Sequence, residues 1–278
     1  GGRTVDRPSW APTEVDVTRP SVARVYDYYL GGSHNFDSDR AFAREVLRVY
    51  PELTAITRDN RDFMRRAVLH LCSRGIDQFL DLGSGIPTAG NVHEVAHSVN
   101  PRARVVYVDH DPVAVTHSRE LLADTDGVVA ISDDLREPRR VLQDAVAVGD
   151  LDLTRPVAVL MVSVLHFLGD KDRPAELVDE YMSATVPGSH VAISHARSDG
   201  KRDAAATEEV YNRSRSPNPM QFRTADKIRA LFGDLTLVDP GVVHLPRWRP
   251  EFDPDADPDA DPDVGEDYPA LAGVGRRD

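Results

Sequence analysis

The segment from Asp81 to Pro87, "DLGSGIP", decides the fold. It follows the apolar "QFL" and leads into "GNVHEVAH", which has helical periodicity. A short strand that breaks into a Gly-X-Gly turn before a helix is a place where a parallel sheet opens toward a ligand. Glycine lets the backbone come close, because no Cβ blocks the approach. The dinucleotide fingerprint needs a third glycine for tight helix packing, and Thr88 stands in its place, so a pyrophosphate site is disfavoured. Taken alone, the turn is equally compatible with a structural role.

Outward from this turn the rhythm is regular. Apolar strand-like runs occur at 77–82, 104–109, 127–132, 156–163, 189–195 and 235–239. Helical patterns at 91–99, 112–123, 138–148 and 173–185 fill most of the intervals. Two more follow at 203–215 and 224–232, the second capped by Thr224. Near-continuous apolar strands alternating with helices predict an α/β, doubly wound, Rossmann-like parallel sheet covered on both faces. Three helical patterns precede the first strand. They run from 21 to Gly31-Gly32, from 39 to 50 with Asp37 or Ser38 as cap, and from 53 to 74. Residues 1–74 are therefore expected to form an arm and helical lid, and 75–278 the core. The repeat "DPDADPDADPDVGED", 253–267, is too rich in proline and like charge for helix or sheet and is expected to be a solvated loop within the core. Its acids do not form a calcium loop, because the turn glycine and the closing glutamate are not at the required positions.

Charge and composition exclude several classes. The net charge is −13, of which residues 251–278 carry −8. No basic footprint of a nucleic-acid binder is present. In "RDNRDFMRR", Arg58, Arg61 and Arg65 share a face and Asp62 can pair with Arg66, which reads as a solvated helix face. The longest apolar stretch, 157–168, is too short to cross a bilayer. The N-terminus lacks the apolar segment of a signal peptide, and Cys72 is the single cysteine, which fits a reducing cytoplasm. No Ser-His-Asp motif, metal-ligand cluster or Gly-Lys-Ser/Thr phosphate loop is found.

Candidate site residues fall at the strand ends. Asp109 closes "VVYVD" about two dozen residues beyond the turn, where a carboxylate can accept from both hydroxyls of a ribose. Asp111, before Pro112, is better placed to cap the next helix. Asp133 or Asp134 could accept from an exocyclic adenine amine, with Leu135 against the base. Ser163 and His166 leave the fourth strand. His166 is the candidate catalytic residue, with His195 as a second choice, although a lone histidine is often structural.

This order of an acidic Gly-X-Gly turn, acids after strands two and three, and a polar exit from strand four resembles the class I S-adenosylmethionine (SAM) methyltransferases. The resemblance implies that Asp81, Gly83, Ser84 and Gly85 surround the methionine end of SAM, that Asp109 with His110 holds the ribose, and that Asp134 and Leu135 hold the adenine, with Ser163 nearby. It also implies a seven-stranded sheet whose last strand, "LAGVGRR", is antiparallel. A narrower resemblance, carried by "RVYDYYLGGSHNFDSDR", "DLGSGIPTAGNVHEVA", "VVYVDHDPVAV" and "SVLHFL", is to an actinobacterial family of SAM-dependent methyltransferases of unestablished substrate.

Tyr28, His34, Asn35 and Phe36, around a Gly-Gly hinge, are expected to form a lid and line the pocket of a small-molecule acceptor. By spacing, Tyr26 and Tyr29 are expected to be packing residues. Replacing Tyr28 or Asn35 by alanine should then weaken binding and leave stability nearly unchanged. Two other functions compete with transfer to a small acceptor: a SAM-binding regulatory or partner protein without activity, and a nicotinamide-dependent oxidoreductase.

Overall fold

A computed structural model describes residues 7–87, 90–200, 204–213, 219–253 and 265–278; Thr88 and most of the acidic repeat lie outside the described residues. Five parallel strands form the sheet: β1 (Gln78–Leu82), β2 (Arg104–Asp109), β3 (Val128–Ser132), β4 (Ala158–Val162) and β5 (His190–Ala196). The last strand, β8 (Ala270–Arg276), runs antiparallel beside β5 and places Ile193 against Gly273. The full order is β3-β2-β1-β4-β5-β8-β6, with β7 also on β8. The expected strand at 235–239 is short. It is β6 (Thr236–Leu237), and the chain turns at Pro240-Gly241 and returns to the same edge of β8 as β7 (Val243–His244). Proline has no N–H for the ladder, and Gly241 takes a positive φ of 86°, so the strand cannot continue through the turn. The sheet thus has seven positions and eight strands.

Side chains alternate across the sheet, and both sides are buried. Leu80, Leu82, Val159 and Met161 face one core, against α6 (Pro138–Ala147), α7 (Pro174–Ser183) and α9 (Ala225–Ala230). Phe79, Val105, Ala158 and Leu160 face the other, against α3 (Leu53–Ser73) and α4 (Val92–Val99). The remaining helices are α1 (Val22–Tyr29), α2 (Asp37–Val49), α5 (Pro112–Leu122) and α8 (Ala204–Arg213).

Phe63, Met64, Ala67, Val68 and Leu71 of α3 pack directly on the sheet, so α3 belongs to the core and the expected boundary at residue 74 falls on the wrong side of it. The arm, α1 and α2 stand over the strand ends. On the face of α3 expected to be solvated, Arg58 is exposed and Arg61 and Arg65 are half-buried. Arg66, expected to pair with Asp62, is buried and donates to the carbonyls of Trp248 (2.8 Å) and Leu245 (2.7 Å).

Two local expectations fail for identifiable reasons. The cap of α2 is neither Asp37 nor Ser38. Phe36 precedes the helix, and its N–H donates to Asp39 Oδ2 at 2.7 Å. Ser38 instead donates to the Val17 carbonyl of the arm at 2.8 Å. Gly31-Gly32 is a clamped turn and no hinge. A side chain on Gly32 would collide with the Asp27 carboxylate, which accepts from the His34 N–H and from Asn35 Nδ2.

Arg24 joins lid and core. It is buried, and its guanidinium bonds Asp39 of α2 at 3.0 Å and Asp111, the cap of α5, at 3.2 Å. Arg24→Met leaves two buried carboxylates without their cation. It is expected to lower stability by about 3–5 kcal/mol, read as a lower urea midpoint.

Candidate active site

A cavity of about 410 Å³ opens at the carboxyl ends of β1, β2 and β4, where the strand order reverses. Its floor includes Asp81, Gly83, Ser84, Gly85 and Asp109. Its roof is the arm, from Glu14 to Pro20, and the start of α1. This is the arm that the sequence places before the first helix. Its scattered apolar residues, Trp10, Val15 and Val17, pack with Phe36 and Val113 and hold the arm down.

The Gly-X-Gly turn is built in an unexpected sense. The N–H groups of Gly83 and Ser84 both donate to the Val108 carbonyl, at 2.8 and 3.1 Å, and that of Gly85 donates to Asp109 Oδ2 at 2.7 Å. All three face β2 and are consumed there. Both glycines have positive φ, and a Cβ on Gly83 would collide with Val164. At Gly85 the corresponding space is open. The turn therefore offers no N–H cradle for a phosphate. Beside it stands Asp81, whose carboxyl burial pushes up to about 7, with Arg61 opposing the shift and Asp109 adding to it. Asp109 is held by the Gly85 and Asp111 N–H groups, the latter at 2.8 Å on Oδ1, and each oxygen keeps a further lone pair. A floor with two such carboxylates fits a ligand with a cationic end and vicinal hydroxyls better than a pyrophosphate, while Arg19, Arg61, Arg136 and Lys171 stand elsewhere in the lining.

A second, narrower cavity of about 80 Å³ lies behind the first. Tyr26, Asn60, Ser163 and Phe167 line both. A hydrogen-bond chain runs through this shared wall. The N–H of Ser163 donates to Ser194 Oγ (2.8 Å), and that hydroxyl donates to Asn60 Oδ1 (2.5 Å). Asn60 Nδ2 donates to Tyr26 Oη (3.0 Å), which donates to the Thr57 carbonyl (3.3 Å). Ser163 is held at φ 53°, a left-handed conformation that is rare for a residue with a side chain.

The family model described as S-adenosyl methyltransferase matches residues 8–278. The chain belongs to this family. It is a SAM-dependent methyltransferase, and the nicotinamide alternative falls. A candidate methyltransferase from Thermobifida fusca YX is similar at 38% identity, with 97% of this chain and 99% of that one covered and a TM-score of 0.89. A DUF574 family protein from Streptomyces avermitilis MA-4680 is 36% identical over 95% of this chain and 99% of its own, with a TM-score of 0.84. An O-methyltransferase family protein from Burkholderia thailandensis, at 14% identity and a TM-score of 0.51 over 87% of this chain and 60% of that one, shares the fold. No curated protein sequence matches the chain. Among the described residues, no helix is long and apolar enough to cross a membrane.

The predicted residues separate into three groups. Asp81, Gly83, Ser84, Gly85, Asp109, His110, Asp134, Leu135 and Ser163 all line the first cavity. Asp134 is ion-paired with Arg136 at its rim, while Asp133 turns away to Arg140 at 2.8 Å. His166 lines the second cavity, as does His195. The lid residues do not line either. Phe36 is buried and stacks on Trp10; His34 stacks on His117 of α5 at 3.6 Å. Tyr28 packs edge-on to Tyr29. Asn35 is buried, donating to Asp27 and the Gly32 carbonyl and accepting from Arg40. The roles of the tyrosines are exchanged, because Tyr26 and Tyr29 line the second cavity and Tyr28 does not. Helical spacing identifies a buried face, but it does not say whether that face meets a core or a cavity. Asn60, Arg61 and Phe167 also line the site; the sequence placed Arg61 on a solvated helix face and gave no site role to Asn60 or Phe167.

Asn35→Ala is expected to lower stability by about 2 kcal/mol in thermal or urea melts, since its bonds to Asp27 and Arg40 are buried and charge-assisted, while SAM affinity is retained. Asp81 gives a pH signature. Its folded pKa is above the ordinary carboxylate value of 3.8, so its support for the fold is complete below that value and is lost as pH rises through about 7. Asp81→Asn is expected to melt above the wild type at pH 8 and level with it at pH 4.

Proposed function

We propose that the protein transfers the methyl group of SAM to a small, apolar acceptor held in the second cavity. The observation that carries this reading is the shared wall. Tyr26, Asn60, Ser163 and Phe167 border a cavity with an acidic floor on one side and an apolar, aromatic cavity on the other. The residues common to both linings mark where the two cavities adjoin, and donor and acceptor meet end to end there, as an in-line displacement needs. Bound SAM supplies an electrophilic methyl on a sulfonium.

The chain's own residues then bind and orient. In this reading Asp81 faces the methionine end, Asp109 and His110 the ribose, and Asp134 with Leu135 the adenine. Ser163 and its hydrogen-bond chain hold the boundary. The acceptor cavity is too narrow for a nucleotide in a polymer, and a net charge of −13 repels nucleic acid. The single thiol, Cys72, is pushed by burial up to about 11 and so kept unreactive, which suits a cytoplasmic protein.

The test is calorimetry with SAM, S-adenosylhomocysteine and NAD. Both adenosyl ligands are expected to bind and NAD to fail. Asp109→Asn, which keeps the shape, should weaken SAM at least about tenfold; equal binding by the variant would remove Asp109 from the site. SAM affinity should rise with pH through about 7 as Asp81 ionises, and Asp81→Asn should abolish that rise.

A further inference from the structure

What the second cavity can accept is set by its two histidines, and the proton positions on both are legible. His195 Nδ1 lies 2.6 Å from the Ala196 carbonyl and must donate to it. Its Nε2 then accepts from Arg223 at 3.0 Å. His166 Nδ1 lies 3.3 Å from the Ala196 N–H and accepts from it, so the proton of the neutral ring is on Nε2. The ring lines the cavity, and Nε2 is the nitrogen left for a ligand.

A general base must be able to become a cation. Protonated His166 would set an Nδ1–H against the Ala196 N–H. It would also place a cation edge-on to His195, at 5.4 Å between ring centres, with the guanidinium of Arg223 behind it. Arg223 is buried and donates to the carbonyls of Leu165 and Leu168, and to Asp170, whose carboxylate is mostly in solvent. Among the described lining residues, the other titratable groups are Tyr26 and Tyr29 on α1, Tyr50, Tyr211 on α8, and Arg197 beyond His195. None of them is a carboxylate that could stabilise an imidazolium. Burial, His195 and Arg223 hold His166 well below the usual histidine range, and burial chiefly takes His195 down to about 3. The same positive surroundings that suppress an imidazolium favour an oxyanion.

The rest of the cavity narrows the class. Tyr26, Tyr29, Phe167, Tyr211 and Phe222 give it an aromatic wall. Among the described lining residues the one charged side chain is Arg197, which is engaged by Asp199 at 2.8 Å. An ammonium would find no counter-charge there. Resting on the function proposed above, we infer that the acceptor is a phenol bound as its phenolate, its oxygen accepting from the Nε2–H of His166. The phenolic proton leaves to solvent on binding. The phenolate oxygen then forms the O–CH3 bond as the S–CH3 bond breaks, and the electron pair of that bond stays on sulfur as a neutral thioether. His166 is thus a hydrogen-bond donor to the acceptor, and takes no proton.

Two measurements test this on the full chain. In long-range proton–nitrogen spectra of histidine-labelled protein, with His166 assigned by its loss in His166→Gln, the ring should remain the neutral Nε2–H tautomer from pH 5 to 9. An Nδ1–H tautomer, or titration within that range, overturns the proposal. In the second, 4-nitrophenol is titrated into protein loaded with S-adenosylhomocysteine, and the visible absorbance of the phenolate is followed. Bound probe should ionise at a pH at least one unit lower than free probe. His166→Leu should reduce that preference tenfold, while His166→Gln, which keeps an amide donor, should retain most of it. Probe that binds in its neutral form, or fails to bind while S-adenosylhomocysteine binds normally, overturns the phenolate and leaves the cofactor site intact. Absence of S-adenosylhomocysteine binding overturns the underlying reading and this one with it.

Discussion

The guanidinium of Arg24 bonds Asp39 in the lid and Asp111 at the end of β2, and the roof of the cofactor cavity depends on that bridge. Asp111 is placed for the task because it already caps α5, accepting from the Val113 and Ala114 N–H groups with Oδ1 and leaving Oδ2 for Arg24 and Ser21. One carboxylate therefore starts a helix and fastens the lid. Charge-assisted bonds suit this work, since each partner is costly to leave alone once buried.

Beneath that roof, the character of the cavity follows from where three N–H groups point. A Gly-X-Gly turn is often read as an anion cradle, and in many folds it is one. Here Val108 and Asp109 take the N–H groups of Gly83, Ser84 and Gly85. What remains toward the cavity is glycine Cα surface, an open space at Gly85, and two carboxylates. The same sequence motif thus supports opposite ligand charges. The deciding element is the register of the neighbouring strand, which pairs Leu82 with Val108 and so puts the Val108 carbonyl and the Asp109 side chain within reach of the turn.

Behind the shared residues the electrostatics change. The first cavity has carboxylates on its floor, with Arg19, Arg61, Arg136 and Lys171 elsewhere in its lining, and the second has neutral imidazoles near a buried arginine. The chain from Ser163 through Ser194 and Asn60 to Tyr26 separates the two, and it crosses from β4 to β5, α3 and α1. In the proposed reaction a cationic donor and an anionic acceptor attract each other and meet where the two linings adjoin, without a proton relay.

By itself the sequence determined the alternating elements, the parallel sheet with a late antiparallel strand, and the acids at the strand ends. These follow from local rules: apolar runs of strand length, helical spacing, capping by Asp111 and Thr224, and a glycine turn that needs positive φ. It also carried the family resemblance. Only the tertiary structure decided that β6 and β7 share one edge of β8, that α3 belongs to the core, and that Tyr26 meets a cavity while Tyr28 does not. It alone showed that Asn35 and Phe36 are packed into the lid, that the polar arm is a roof, and which nitrogen of His166 carries the proton. These features rest on contacts between residues far apart in the chain, such as Arg24 with Asp111 or His195 with Arg223, and neither periodicity nor spacing records which buried face meets which.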